Sequence, residues 1–270
     1  MERKIRFYKT QDQTLRKYME GYYFISGEDN HSPIHFISFP GNYFVATVCQ
    51  NVDVTFKKDL ISILPASTKN IVADFYHKKT NPVKIRYAQP FNEITIYFKP
   101  LGILHFLENL EDFEFLSTTK KIPFPKYLDE MSKILHMNDH SGKIHALESY
   151  WLSLLKNKDL GMLESILHDI EKGLKITDIA DHRGISRQYL HKLLLKYTGR
   201  SPSQYQKIHR FKKMVGEYKR DQNLSHLAYD HLYFDQAHFN KHFKALTHSQ
   251  PGRFFRDATI MDSVLWMYGH

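Results

Sequence analysis

The chain has a single cysteine, Cys49, in 270 residues. One thiol closes no intramolecular disulfide and builds no cysteine-based zinc cluster, so a reducing compartment such as the cytoplasm is expected. Glycine and proline are sparse, at 12 and 10, which excludes collagen-like and low-complexity chains. No run reaches the roughly 18 apolar residues of a membrane-crossing helix. The opening Met1-Glu2-Arg3-Lys4-Ile5-Arg6 has no apolar core of an export signal. Neither a glycine-rich phosphate loop nor a nucleophile elbow is present. The expectation is a protein that is not an enzyme, carries no cofactor or catalytic metal, and has no membrane partner.

Aromatic residues and positive charge are abundant. There are 19 Phe and 17 Tyr, and 42% of residues are hydrophobic, enough for a substantial core. The length suits two domains. The formal charge is +9, and it is unevenly spread. Residues 165–258 hold 17 Lys and Arg against 9 Asp and Glu, whereas residues 1–164 hold 21 against 19. Excess charge gathered in one region is the electrostatic footprint expected of a phosphate-binding surface.

The grammar of the chain changes along its length. An early helix is predicted over Gln11–Tyr23. From Ile34 to Phe98 short runs rich in Ile, Val, Phe, Tyr and Thr alternate with turn signals such as Pro40-Gly41-Asn42 and Pro65-Ala66-Ser67. Seven such runs predict an antiparallel β-barrel or sandwich. Cys49 falls in one of them and reads as a small buried hydrophobe. After Pro100 the period becomes helical, with helices predicted at Lys126–His136 and Ile144–Lys156. On the second, Ile144, Leu147, Trp151, Leu154 and Leu155 form a stripe that serves a core or a dimer. The expected division is a β-rich sensor or dimerisation domain at 1–104, a helical linker at 105–160, an all-α domain at 161–258 and a tail at 259–270. The fold class is therefore α+β.

The all-α region contains a repeat. Ile176-Thr177-Asp178-Ile179-Ala180 matches Leu224-Ser225-His226-Leu227-Ala228. Each copy continues as helix, short turn, longer helix. Ala180 and Ala228 are small where two helices must cross closely. Gly184 suits a tight turn with positive φ, and Ser186 and Asp235 are suitable N-caps. This is the anatomy of two helix-turn-helix units, joined by a connector at Ser203–Arg220. In the first longer helix Leu190, Leu193, Leu194 and Tyr197 fall at helical spacing, leaving polar side chains outside. The second helix buries Phe239, Phe243 and Leu246 in the same way. Arg, Lys, Gln and Asn are the side chains that read base edges or hold phosphates.

The segments Ile179–Leu190, Tyr197–Tyr205 and Phe234–Lys244 resemble the DNA-binding domain of AraC/XylS-type regulators, bacterial activators or repressors. The β-rich half resembles, in architecture, the cupin-like sensor halves of that family. The resemblance implies that each longer helix enters a major groove of double-stranded DNA. It implies base contacts from Arg187, Gln188, His191 and Lys192, then from Gln236, Ala237, Asn240 and Lys241. Phosphate contacts are expected from Ser186, Lys196, Arg200, Arg210, Lys244 and Arg253. A small-molecule effector in the first domain, a homodimer, and RNA polymerase as partner of an activator are implied as well. Two departures fall in the second copy. Leu232-Tyr233 stands where the family has Gly-Phe, and His248 stands where the family has a glycine.

The rival reading is a cupin-type small-molecule-binding protein or enzyme with a degenerate DNA-binding domain. His31, His35 and His77 are its only candidate ligands in the β-rich half, without the close His-x-His spacing of such sites. His238 and His242 lie four apart on one helix but lack the glutamate of a zincin motif, and a structural role is expected for them.

Overall fold

The computed structural model describes residues 5–26, 33–77, 79–89, 91–116, 122–219, 223–231, 233, 235–257, 259–261 and 264–268. The N-terminal part stacks two sheets. The first contains β1 (Phe7–Lys9), β2 (Met19–Ile25), β4 (Phe44–Gln50), β7 (Ile71–Tyr76) and β9 (Glu93–Phe98), in the order β1-β2-β9-β4-β7. The second contains β3 (Ile34–Ser38), β5 (Val52–Lys57), β6 (Leu60–Pro65), β8 (Val83–Tyr87), β10 (Thr259–Met261) and β11 (Val264–Tyr268), in the order β10-β11-β3-β8-β6-β5. Neighbours run antiparallel except β6 and β8, which are parallel. The two sheets form an open sandwich; the expected antiparallel architecture holds, but the sheets do not close into a barrel.

The first sheet is buried on both faces, and its sequence shows why. Along β9 every residue is buried. Ile94, Ile96 and Phe98 point into a core shared with the helices, while Glu93, Thr95 and Tyr97 face the second sheet and line the space between. β4 divides in the same way: Phe44, Ala46 and Val48 go to the helical side, and Cys49 goes to the inter-sheet side. The period of two thus fills two different cores.

The predicted helix at Gln11–Tyr23 does not form. A single 3-10 turn, Leu15–Lys17, is followed by β2. β2 is flanked by β1 and β9 and is buried on both faces, so ladder pairing and burial outweigh the local helical pattern.

The helices are α1 (Asp112–Phe115), α2 (Tyr127–Leu135), α3 (His140–Leu154), α4 (Gly161–Glu171), α5 (Ile176–His182), α6 (Arg187–Thr198), α7 (Pro202–Glu217), α8 (Leu224–Asp230), α9 (Gln236–Thr247) and α10 (Pro251–Asp257). α3 begins four residues before the predicted start at Ile144 because the Asp139 carboxylate accepts from the amides of Ser141 and Gly142. Its apolar stripe lies within this chain's own core. Trp151 is fully buried, with ring contacts to Phe98, Phe106 and Phe124. That core continues without a break into α4, α5 and α6.

Candidate nucleic-acid interface

α5 and α6 form the first helix-turn-helix unit. Ala180 is fully buried at their crossing, and its carbonyl accepts from the amides of Arg183 and Ile185. Gly184 turns the chain at φ +61° with open space where a Cβ would stand. Arg183 fastens this turn to α4 through a 2.5 Å contact with Asp169 and a bond to Ser165. The Ser186 hydroxyl accepts from the Tyr189 amide and starts α6. Gly199, at φ +68°, ends it. Leu190 and Leu194 are buried, while Arg187, Gln188, His191, Lys192 and Lys196 are exposed on the outer face.

α8 and α9 repeat this plan. Asn223 caps α8, and Asp235 caps α9 by accepting from the His238 amide at 2.6 Å. Phe239 and Phe243 are buried; Gln236, Ala237, Lys241 and Lys244 are exposed and Asn240 is half-buried. Ala228 lies within α8, but its side chain is outside the described residues, as is Leu232 in the turn. The lost glycine of this copy has a visible consequence. His248 caps α9 at φ +55°, the position and conformation that Gly199 holds after α6, so a residue with a Cβ is held in the left-handed region.

α7 joins the units. A Ser201–Gln204 capping box and Pro202 in its first turn start it. Tyr205, Ile208, Phe211, Met214 and Val215 form its buried stripe, which serves both units. Tyr205 belongs to the core of the first, and Phe211 packs with Phe243 and Phe254 of the second.

The residues expected at phosphates differ in exposure. Arg200 is 1% exposed. Its guanidinium donates to the carbonyls of Gly41 at 2.8 Å and Lys79 at 2.7 Å, which makes it a tie to the β-sandwich and puts it out of reach of DNA. Burial pushes it down to about 10, so it stays charged at neutral pH. Arg210 is half-buried, 5.5 Å from the centre of the Tyr233 ring, where a cation is attracted by the ring face. Arg253 is exposed and pairs with Asp257. The Ser186 hydroxyl is engaged in capping.

The contact that Arg200 makes borders a cleft between the sheets and the helical region, with about 1080 Å3 of empty space including its open mouth. Its walls are largely apolar and aromatic, among them Phe36, Val54, Ile63, Ile85 and Tyr97. Three cations stand along it, Lys79, Arg200 and Lys212. The Lys212 ammonium sits 3.6 Å from the centre of the Tyr43 ring, and Lys79 lies 5.9 Å from that of Tyr76. Burial lowers both lysines to about 8, Glu20 opposing the shift at Lys212. One guanidinium nitrogen of Arg200, Nη1, is buried without a hydrogen-bond partner. Among the described residues none of the three forms an ion pair.

The acids of the cleft are engaged differently. Glu93 accepts from the hydroxyls of Tyr23, Tyr87 and Thr95 and from the Cys49 thiol. Because Tyr87 lies on the second sheet, this knot ties the sandwich together. Burial pushes the Cys49 thiol up, which keeps it protonated and inert. Burial also raises Asp74.

The sequence offered no signal for the cations of the cleft. Lys212 carried no reading of its own, Arg200 read as a phosphate contact, and Pro40-Gly41-Asn42 read as a plain turn. That turn is instead a docking point. Besides the Gly41 bond, Asn42 donates to the Tyr205 carbonyl at 3.0 Å, and Phe39 packs 5.2 Å from the Phe254 ring.

His35 is exposed, His77 is buried against Phe44 and Phe113, and His31 lies outside the described residues. Among the described residues no group of three His, Cys, Asp or Glu could hold a metal ion. The His238 and His242 rings meet at 3.2 Å between their Nε2 atoms. Burial, then the neighbouring His238, Lys207, Arg210 and Lys241, hold His242 down to about 4, so His242 is neutral near pH 7. No described helix is long and apolar enough to cross a membrane.

Two capped helices on a shared connector, set in a basic region, complete two helix-turn-helix units in tandem. Residues 179–257 match the family model described as a helix-turn-helix domain. That region of the chain is a helix-turn-helix domain. No curated protein matches the chain. Among solved structures it is similar to ToxT from Vibrio cholerae, at 14% identity over 87% of this chain and 96% of that one, with a TM-score of 0.41. ToxT bound to (E)-4-(8-methylnaphthalen-1-yl)but-3-enoic acid gives 15% identity over 87% and 97%, with a TM-score of 0.41. Wild-type ToxT with a bound unsaturated fatty acid gives 13% over 86% and 92%, with a TM-score of 0.41.

Proposed function

We propose that the protein is a sequence-specific transcription regulator that lays α6 and α9 into successive major-groove segments and answers to an acidic, largely apolar effector held in the cleft. The observation that carries the DNA reading is the pair of N-capped helices. Each buries an apolar stripe and presents an exposed polar face, and together they lie in a region with 17 basic and 9 acidic residues. Arg187, Gln188, His191 and Lys192, with Gln236, Ala237, Asn240 and Lys241, are the base-reading set. Lys196 and Lys244 are exposed on the same two helices and suit phosphates.

The effector reading rests on the cleft's cations. A lysine lowered to about 8 is one whose charge is poorly solvated, and a carboxylate placed between Lys79, Lys212 and Arg200 supplies what burial has removed. The apolar walls suit a hydrocarbon body. Two of the ToxT structures hold acids of this kind; here the three cations are what ask for one. Because Arg200 and Lys212 belong to the helical region while the walls belong to the sandwich, an occupant touches both.

Lys192→Ala and Lys241→Ala are expected to weaken binding to a selected genomic fragment by about 1–3 kcal/mol each, and to weaken binding to random DNA by less. Equal losses on both DNAs would show phosphate contacts alone. Binding of the intact protein should fall steeply with salt while keeping its preference among fragments; salt-sensitive binding with no preference overturns the regulator reading. Lys79→Met and Lys212→Met are expected to abolish the response of DNA binding to oleate, measured by anisotropy.

A further inference from the structure

The helical region does not end the chain's path. α10 stops at Asp257, and one residue later the chain enters the hairpin β10–β11, which returns to the N-terminal sandwich. β11 pairs antiparallel with β3, Trp266 opposite Ser38, Met267 opposite Ile37 and Tyr268 opposite Phe36. On its other side β3 pairs with β8. The hairpin therefore covers what would be the free edge of the second sheet.

β3 is also the strand where the two halves of the molecule meet. Phe36 and Ser38 line the cleft. The next residue, Phe39, is packed in the core of the second helix-turn-helix unit beside Phe211 and Phe254. One strand thus touches the cleft on its face, the second unit at its end and the tail along its edge. A single residue separates α10 from β10, so the hairpin follows the second unit directly along the chain.

We propose that the β10–β11 hairpin is a reversible clasp. It fastens the second helix-turn-helix unit to β3, the clasped form binds DNA less tightly, and release of β11 from the β3 edge is how occupancy of the cleft reaches α9. The proposal rests on the regulator reading above. Its physical basis is the smallness of the clasp. Three register pairs join β11 to β3, and a two-stranded hairpin alone is marginal in water. Edge pairing of this kind is the reversible docking mode that added strands use. Two recognition helices that must reach one face of DNA need a set separation, and a unit pinned to the sensor at both Phe39 and the tail cannot adjust it.

The test compares the full chain with a chain ending at residue 258. Both are titrated onto a duplex that the full chain selects from genomic fragments, with and without oleate. The shortened chain is expected to bind at least about fivefold tighter, the low end of coupling between sites, and to lose its response to oleate. A second variant, Ile37→Cys with Met267→Cys, places thiols at register partners; the natural Cys49 is buried. Oxidation of that pair is expected to weaken DNA binding by a similar factor, and reduction to restore it. A folded shortened chain with the full chain's affinity and oleate response overturns the clasp; if that chain does not fold, equal affinity of the oxidised and reduced pair overturns it. A full chain that selects no fragment overturns the regulator reading instead.

Discussion

Arg200 shows how a single side chain changes meaning between sequence and structure. In the sequence it follows α6 within a basic region, which reads as a phosphate contact. In the structure it is buried, with two carbonyls of the sandwich as acceptors. Arg200→Ala should therefore destabilise the protein by about 1–3 kcal/mol, the cost of leaving buried acceptors unpaired, seen as a lower Tm. A phosphate contact would leave Tm unchanged and weaken only DNA binding. His248 is the opposite case, because the missing glycine was legible and its consequence is local. With φ at +55°, His248→Gly should stabilise by roughly 1 kcal/mol, while Gly184→Ala, at φ +61°, should cost a similar amount. Both are read by chemical denaturation. The two lysines of the cleft give a pH signature. Their pKa of about 8 in the fold lies below the unfolded value near 10.4. The unliganded protein is thus penalised below about pH 8 and gains stability as pH rises from there toward about 10. Binding of an acid needs the charged form, so oleate affinity should fall as pH passes 8. An affinity flat from pH 7 to 9 would exclude lysine–carboxylate pairing.

At the scale of elements, the strands and the helix-turn-helix units were the most readable parts. Their patterns are strong: seven β-rich runs between turn signals, and apolar positions three and four apart on α6 and α9. The N-caps were readable too. Ser186→Ala and Asp235→Ala should each cost about 0.5–2 kcal/mol and weaken specific binding, because each cap sets the start of a recognition helix. β2 was misread because its character comes from neighbours. It is buried on both faces between β1 and β9, and no local alternation survives in such a strand. The stripe on α3 was legible as apolar, but only packing decides that it meets Phe98 and Phe106 of the same chain. β11 was invisible in the sequence, since its partner β3 lies more than 220 residues earlier.

At the scale of the whole molecule, three layers bring the cleft and the helix-turn-helix units into one chain. The second sheet faces the first across the cleft, and the first sheet carries the helices on its other side. The core then runs on into the first helix-turn-helix unit. That arrangement could not be read from the sequence, because docking depends on single residues such as Phe39, Gly41 and Asn42 that carry no periodic signal. The proposed function has α6 and α9 of one chain reading one duplex. The most direct test is a hydroxyl-radical footprint of the full chain on a genomic fragment that it selects. The account predicts two protected patches on one face of the duplex, about one helical turn or ~34 Å apart, with the patch belonging to α9 lost in Lys241→Ala combined with Asn240→Ala. A single patch unaffected by those substitutions, or protection that ignores sequence, would contradict it.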